Sequence, residues 1–291
     1  MESTLHQTSF TKKLRYSLEL IKFSHTLFAL PFALAALLVT SRRDFQWKTL
    51  FWVIFCMVWA RTAAMAFNRL VDAKIDSENP RTANRHLPQG LLSRRFVILL
   101  TLFSSASFIF GASQLNHLTL LLSPFALILL FFYSFTKRFT HFTQIFLGMS
   151  LGAAPIGATV AVTGHFTLGG FLLGMAVLFW VAGFDLLYAL QDMEFDRAKN
   201  LYSLPVNLGV SKTFKVSTLF HVLFLILLLA YGKVEGLGTF YWMGLCLTGI
   251  LLLWQHWILK ENLSKIQAAF FTANGLLSVL FLIVVLVDIF I

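Results

Sequence analysis

Apolar residues run along this chain in long stretches of about twenty, the length a helix needs to cross a bilayer core, separated by short polar joints. Nine such stretches are legible, at 20–40, 49–68, 96–113, 118–135, 143–163, 168–190, 213–232, 237–258 and 268–290. The pattern predicts an all-α, polytopic membrane bundle of nine transmembrane helices. Together they fill most of the 291 residues, so a single integral membrane domain spanning 1–291 is expected. The first stretch has no small-residue cleavage signature before or after it, and it reads as a retained helix, not a signal peptide.

Composition agrees with this class. The chain is 58% hydrophobic and only 12% charged, which is far from a soluble domain. Its basic residues are unevenly placed. Threaded through nine spans, eighteen Lys and Arg fall on one side and only Arg42, Arg43, Lys48 and Lys233 on the other. The positive-inside rule makes the basic side cytoplasmic, in a bacterial-type inner membrane. The net charge of +10 is then accounted for by topology and attraction to anionic lipid headgroups, and no nucleic-acid partner is implied. Cys56 and Cys246 sit in apolar stretches, so neither a disulfide nor a cysteine metal site is indicated.

Two acidic segments interrupt this economy of charge. One runs Asn68-Arg-Leu-Val-Asp72-Ala-Lys-Ile-Asp76, the other Asp185-Leu-Leu-Tyr188-Ala-Leu-Gln-Asp192-Met-Glu-Phe-Asp196. Asp72 and Asp192 are 120 residues apart, as are Asp76 and Asp196. Downstream of each pair come a Leu-Pro, a glycine and a Ser-cation step: Leu87-Pro88, Gly90 and Ser93-Arg94, then Leu204-Pro205, Gly209 and Ser211-Lys212. The recurrence predicts an internal repeat: two four-helix units in parallel order plus one further helix. It would bring both acidic pairs to one cavity at the basic face.

Asp72 and Asp76 are i,i+4 neighbours, so on a helix their carboxylates face the same way. Asp192 and Asp196 repeat the spacing. Neither pair has a cation at i±4, so the carboxylates repel unless a divalent ion lies between them. Hard oxygen donors suit Mg2+, which takes one or two carboxylates together with substrate phosphates. The cations Arg81, Arg85, Lys137, Arg138 and Lys199 are candidates to hold the remaining phosphate oxygens of a diphosphate. The bland reading is a set of solvated loop charges, which fits the cations better than the aspartates, since acids in such spans are functional by default. Asp185, Tyr188, Asp192 and Asp196 follow a 3-4-4 spacing that predicts one helix face. Arg61, eleven residues before Asp72 and about 16 Å deeper by helix rise, either pairs with Asp185 or receives the carboxylate of an aromatic acid. In the second case Asn68 and Tyr188 would orient that acid.

These segments together resemble the UbiA superfamily of intramembrane prenyltransferases over nearly the whole chain. Besides the two acidic motifs, the resemblance rests on Asn79-Pro-Arg81-Thr-Ala-Asn-Arg85 with Leu87-Pro88. It also rests on Tyr133-Ser-Phe-Thr-Lys137-Arg138-Phe-Thr-His141, similar to a loop of the 4-hydroxybenzoate branch. The resemblance implies an all-α bundle with a central cavity, dependence on Mg2+, and a polyprenyl diphosphate donor. It matches Asp72, Asp76, Asp192 and Asp196 to metal-binding positions, and Arg61 and Asn68 to positions that contact the aromatic acid. Two departures stand out. Many members carry Asn-Asp-x-x-Asp where this chain has Arg69, and the opening from Ile21 to Phe32 looks more like the futalosine-route menaquinone branch. The acceptor is therefore 4-hydroxybenzoate or a dihydroxynaphthoate, in respiratory quinone biosynthesis. Asp185 or the released diphosphate would take the ring proton. A secondary transporter of an anionic solute is the alternative, disfavoured because the acids cluster at one face and not at broken helices near the midplane. A CDP-alcohol phosphotransferase would need an Asp-Gly-x-x-Ala-Arg motif that the chain lacks.

Overall fold

In hydrocarbon no water is available to pair with backbone N–H and C=O groups, so an apolar stretch satisfies them internally by becoming a helix. The computed structural model follows this rule. It describes residues 16–17, 19–20, 28–262 and 266–291, without the side chains of 267–271. Every element among the described residues is helical: α1 Leu30–Ser41, α2 Trp47–Glu78, α3 Arg94–Ser113, α4 His117–Phe132, α5 Thr143–Thr163, α6 Leu168–Tyr188, α7 Met193–Ala198, α8 Leu204–Glu235, α9 Thr239–Glu261 and α10 Ile266–Phe290. Two 3-10 turns, Tyr133–Arg138 and Ala189–Asp192, extend α4 and α6.

Eight of these helices are long and apolar enough to cross a membrane. The ninth expected span, 20–40, lies partly outside the described residues, and its described part is the twelve-residue α1. The 21–27 part of the opening motif also lies outside them. Although short, α1 is the core of the fold. Phe32, Ala33, Ala35 and Ala36 are fully buried, and the Phe32 ring lies 5.0 Å from Trp180 of α6 and 4.7 Å from Phe281 of α10. The most buried span is α6, packed between α5 and α8, while α2 packs on α3. Large apolar side chains on the outer faces of α3 and α4, such as Leu99, Phe103, Phe125 and Ile128, are exposed, as a lipid-facing surface requires.

Two departures from the expected spans matter for the site. The helix α2 continues ten residues past its expected end at 68. At 32 residues it is about 48 Å long, well beyond a ~30 Å hydrocarbon layer. Its last turns, which carry Asp72 and Asp76, therefore project out of the layer. The second departure lies at the end of α6. The expected single face through Asp185, Tyr188, Asp192 and Asp196 is interrupted, because Ala189–Asp192 is a 3-10 turn before α7 begins. A 3-10 turn advances faster per residue than an α-helix, so four residues rotate Asp192 and Asp196 by about 80° relative to Asp185.

The repeat has a backbone signature. Gly90 and Gly209, the two glycines of the recurring Leu-Pro/Gly/Ser-cation pattern, both take positive φ, 69° and 71°. Gly209 (φ 71°, ψ 171°) breaks α8 between its polar start and its membrane span, a backbone conformation nearly exclusive to glycine. A Cβ there would meet nothing within 4 Å, so packing does not enter. Gly209→Ala is expected to lose about 1–3 kcal/mol of stability, read as a lowered thermal midpoint in detergent. An unchanged midpoint would mean that the break at Gly209 can relax without cost.

Candidate active site

The site is built from two projecting helix ends and the segments that follow them. At the end of α2, the Thr82 hydroxyl donates to the Asp76 carbonyl at 3.0 Å and the Asn79 amide to Ile75 at 3.2 Å, which turns the chain back over its own helix. The 79–85 segment then reaches across to the end of α6. Arg81 grips Asp192 with two bonds, Nε to Oδ1 at 2.8 Å and NH2 to Oδ2 at 2.6 Å, and its NH1 donates to the Tyr188 hydroxyl at 3.3 Å. The Asn79 side chain adds a bond to Asp192 Oδ1 at 3.3 Å and accepts from the Arg81 amide at 2.9 Å. Arg85 turns the other way and sits 2.6 Å from both oxygens of Asp76. One short segment of the first half thus holds a carboxylate from each half.

The 3-10 turn after α4 supplies the other cations. Arg138 lies 3.4 Å from Asp72 and donates to the Val71 carbonyl at 2.7 Å, while Lys137 lies 3.8 Å from Asp196. The Tyr202 amide donates to the Lys137 carbonyl at 2.9 Å, tying this turn to the segment after α7. Asp72 also accepts from Asn68 Nδ2 at 2.9 Å, and the same amide reaches Ser134 at 3.4 Å. The expected repulsion within each acidic pair is therefore met by cations as well as by any metal ion. The pairs have none at i±4, but every one of the four carboxylates meets an arginine or lysine from outside its own helix, Asp76 from the segment just after α2 and the other three from distant segments. Nor are three of them solvated loop charges, since Asp76, Asp192 and Asp196 are only 5%, 6% and 1% exposed.

Burial works against the charge of Arg81, but its bonds to Asp192 and the charge of that carboxylate outweigh it, so the guanidinium is held above its usual pKa. Among the described residues no three His, Cys, Asp or Glu side chains converge as a ready-made metal cage. The donor set nonetheless fits Mg2+, which needs only one or two carboxylates per ion when phosphates complete its shell. Asp196 offers a further sign: its Oδ2 is buried and accepts no hydrogen bond.

The remaining candidates divide. Asp185 is half-buried near the end of α6, and no ion pair joins it to Arg61 among the described residues. Arg61 is half-buried in α2, three turns deeper than Asp72. Lys199 is set apart from the four aspartates, on Glu78 at 2.6 Å with both side chains largely exposed. Four contributors were missed by sequence reasoning: Asn79, Thr82, Ser134 and Arg69. The Arg69 side chain is buried, donates to Asn68 Oδ1 at 3.4 Å and lies 3.9 Å from Asp76. Its i,i+7 spacing to Asp76 was the available signal, since two turns of helix return a side chain to the same face.

Comparisons with known proteins agree with this architecture. A family model described as the UbiA prenyltransferase family matches residues 29–283. The chain is 34% identical over 204 residues to the 4-hydroxybenzoate octaprenyltransferase of Alkalilimnicola ehrlichii, covering 69% of each. It is 35% identical over 208 residues to that of Cronobacter sakazakii, covering 69% of this chain and 70% of the relative. Among solved structures, the apo form of a UbiA homolog from Aeropyrum pernix K1 superposes with a TM-score of 0.83 at 32% identity, over 91% of this chain and 98% of that one. A UbiA homolog from Archaeoglobus fulgidus bound to GPP and Mg2+ shares the fold, with a TM-score of 0.72 at 19% identity over 95% and 100% of the two chains.

The bridge from Arg81 to Asp192 should fasten the 79–88 segment. Asp192→Asn keeps the size but loses the charge-assisted grip, worth about 1.5–3 kcal/mol. Faster hydrogen exchange of the 79–88 amides is the expected outcome, whereas Lys199→Ala leaves them unchanged. Equal exchange in the Asp192 variant and the wild type would show that the segment is held by something else.

Proposed function

The chain belongs to the UbiA prenyltransferase family, and from that premise we propose that it transfers a polyprenyl group from a polyprenyl diphosphate to the ring of a hydroxylated aromatic acid in respiratory quinone biosynthesis. The observation that carries this reading is the convergence of Asp72, Asp76, Asp192 and Asp196, two from each half, in one cation-lined cluster. The homolog carrying GPP and Mg2+ and the relatives named for 4-hydroxybenzoate support the donor, the metal and the acceptor class. The active site faces the cytoplasm of a bacterial-type inner membrane, because the basic loops lie on its side.

The four aspartates would hold magnesium, which, when bound, offsets the charge of the diphosphate as a leaving group. Arg81, Arg85, Lys137 and Arg138 line the same cluster and bind phosphate oxygens. The chain's other task is to exclude water, because the carbon–oxygen bond to diphosphate breaks to leave an allylic cation that water would quench. That cation forms a bond to the ring carbon ortho to a phenolic hydroxyl, and the ring proton passes to Asp185 or to the released diphosphate. Arg61 lies some three turns below Asp72, about 16 Å by helix rise, too deep for the metal cluster. It receives the carboxylate of the aromatic acid, with Asn68 and Tyr188 orienting the ring. Lys199, on Glu78, belongs to the outer rim of the site and binds diphosphate only after leaving that partner.

Membranes containing the protein, given labelled polyprenyl diphosphate, 4-hydroxybenzoate and a dihydroxynaphthoate in competition, test the reading. Magnesium-dependent prenylation of one or both acids is expected, with the naphthoate used at least as well, from Arg69 and the opening that ends at Phe32. Transport of an anionic solute with no prenylated product would favour the transporter instead. Asp72→Asn and Asp192→Asn should each abolish transfer with membrane assembly intact, and turnover by either at saturating magnesium contradicts the shared site. Arg61→Ala should weaken use of the aromatic acid by one to two decades, about 1.5–3 kcal/mol, and leave diphosphate binding unchanged.

A further inference from the structure

Two of the carboxylates assigned to magnesium are already occupied, and the other two each have a cation beside them. Both oxygens of Asp192 are held by the fork of Arg81, and both oxygens of Asp76 by one nitrogen of Arg85. Arg138 stands at Asp72 and Lys137 at Asp196. The four aspartates, Asp72, Asp76, Asp192 and Asp196, already face Arg69, Arg81, Arg85, Lys137 and Arg138. A cluster compensated in this way exerts no net pull on a bare divalent cation. A cation entering alone would break bidentate arginine contacts and leave excess positive charge in a partly buried site, where it is poorly screened. A diphosphate arriving with the metal removes both objections, since its oxygens can take the displaced guanidinium groups.

We propose that Arg81 and Arg85 are exchangeable counter-cations: they neutralise Asp192 and Asp76 in the metal-free protein and pass to diphosphate oxygens when metal and diphosphate enter together. This rests on the assignment of the four aspartates to the metal and goes beyond it. The consequence is coupled loading, in which divalent metal alone binds weakly and diphosphate alone also binds weakly. The same arrangement protects the site, because without diphosphate it does not accumulate metal. Tyr188, which accepts from Arg81 at 3.3 Å, and Asn79, bonded to Asp192 at 3.3 Å, are placed to feel the exchange.

The test uses the full-length protein in detergent, Mn2+ as the metal, and inorganic pyrophosphate as an unreactive partner. Bound Mn2+ is counted by electron paramagnetic resonance at fixed free Mn2+. For the wild type, pyrophosphate should tighten Mn2+ binding by about tenfold or more. In Arg81→Gln and Arg85→Gln, Mn2+ alone should bind roughly threefold tighter or better, and the gain from pyrophosphate should shrink. A gain of metal affinity is not something a merely loosened fold produces, and the two variants lie on different carboxylates should one fail to fold. Arg81→Lys, which keeps the charge, should bind Mn2+ alone as the wild type does. The proposal is overturned if both glutamine variants bind Mn2+ alone no better than the wild type while Asp192→Asn loses the metal. If Asp192→Asn keeps wild-type affinity with pyrophosphate present, it is the metal assignment itself that fails.

Discussion

Placing acidic side chains at a membrane face, largely out of water, is tolerable only if each carboxylate is given a partner, and that requirement organises this molecule. Asp76, Asp192 and Asp196 are almost fully buried. An unpaired charge in such a place costs several kcal/mol. The chain meets the requirement mainly with arginines and lysines carried on the segments after α2 and α4, and α2 itself adds only Arg69, 3.9 Å from Asp76. Because Arg81 reaches from the first half to Asp192 in the second, the pairing also fixes how the halves face each other at this end.

Helix geometry makes the pairing feasible. The length of α2 lifts Asp72 and Asp76 out of the apolar layer, where segment 79–85 can fold back on them. The tightening of α6 into a 3-10 turn swings Asp192 and Asp196 away from the face that carries Asp185. The clustered acids and the deeper Asp185 are thereby separated by backbone conformation as well as by depth. Functional sites in membranes often use such irregular backbone where it lines a cavity and is shielded from lipid.

Much of this was legible in the sequence. Runs of about twenty apolar residues identified the spans because the bilayer fixes their length, and the 120-residue register of the aspartates anticipated that the four carboxylates meet in one cluster. Positive φ at Gly90 and Gly209 gives the Leu-Pro/Gly/Ser-cation echo a backbone basis. What escaped notice were contacts between segments distant in sequence. Nothing local says that Arg81 chooses Asp192, 111 residues away, over Asp76 on its own side. Asn79 and Thr82 read as ordinary turn residues, and Arg69 as a missing carboxylate, until their partners across the fold are known. The 3-10 turn at Ala189–Asp192 was hidden for a related reason: Ala, Leu, Gln and Asp are all compatible with an unbroken helix, and tertiary packing decides.

On the proposed function, one metal–diphosphate site is shared by the two halves. Diffraction at the manganese absorption edge, from crystals grown with Mn2+ and an unreactive prenyl diphosphate analogue, tests it most directly. Anomalous peaks bounded by carboxylates of both Asp72–Asp76 and Asp192–Asp196, with the analogue's phosphates between them, are the expected result. Manganese held by one pair alone, or lodged elsewhere in the chain, would contradict it.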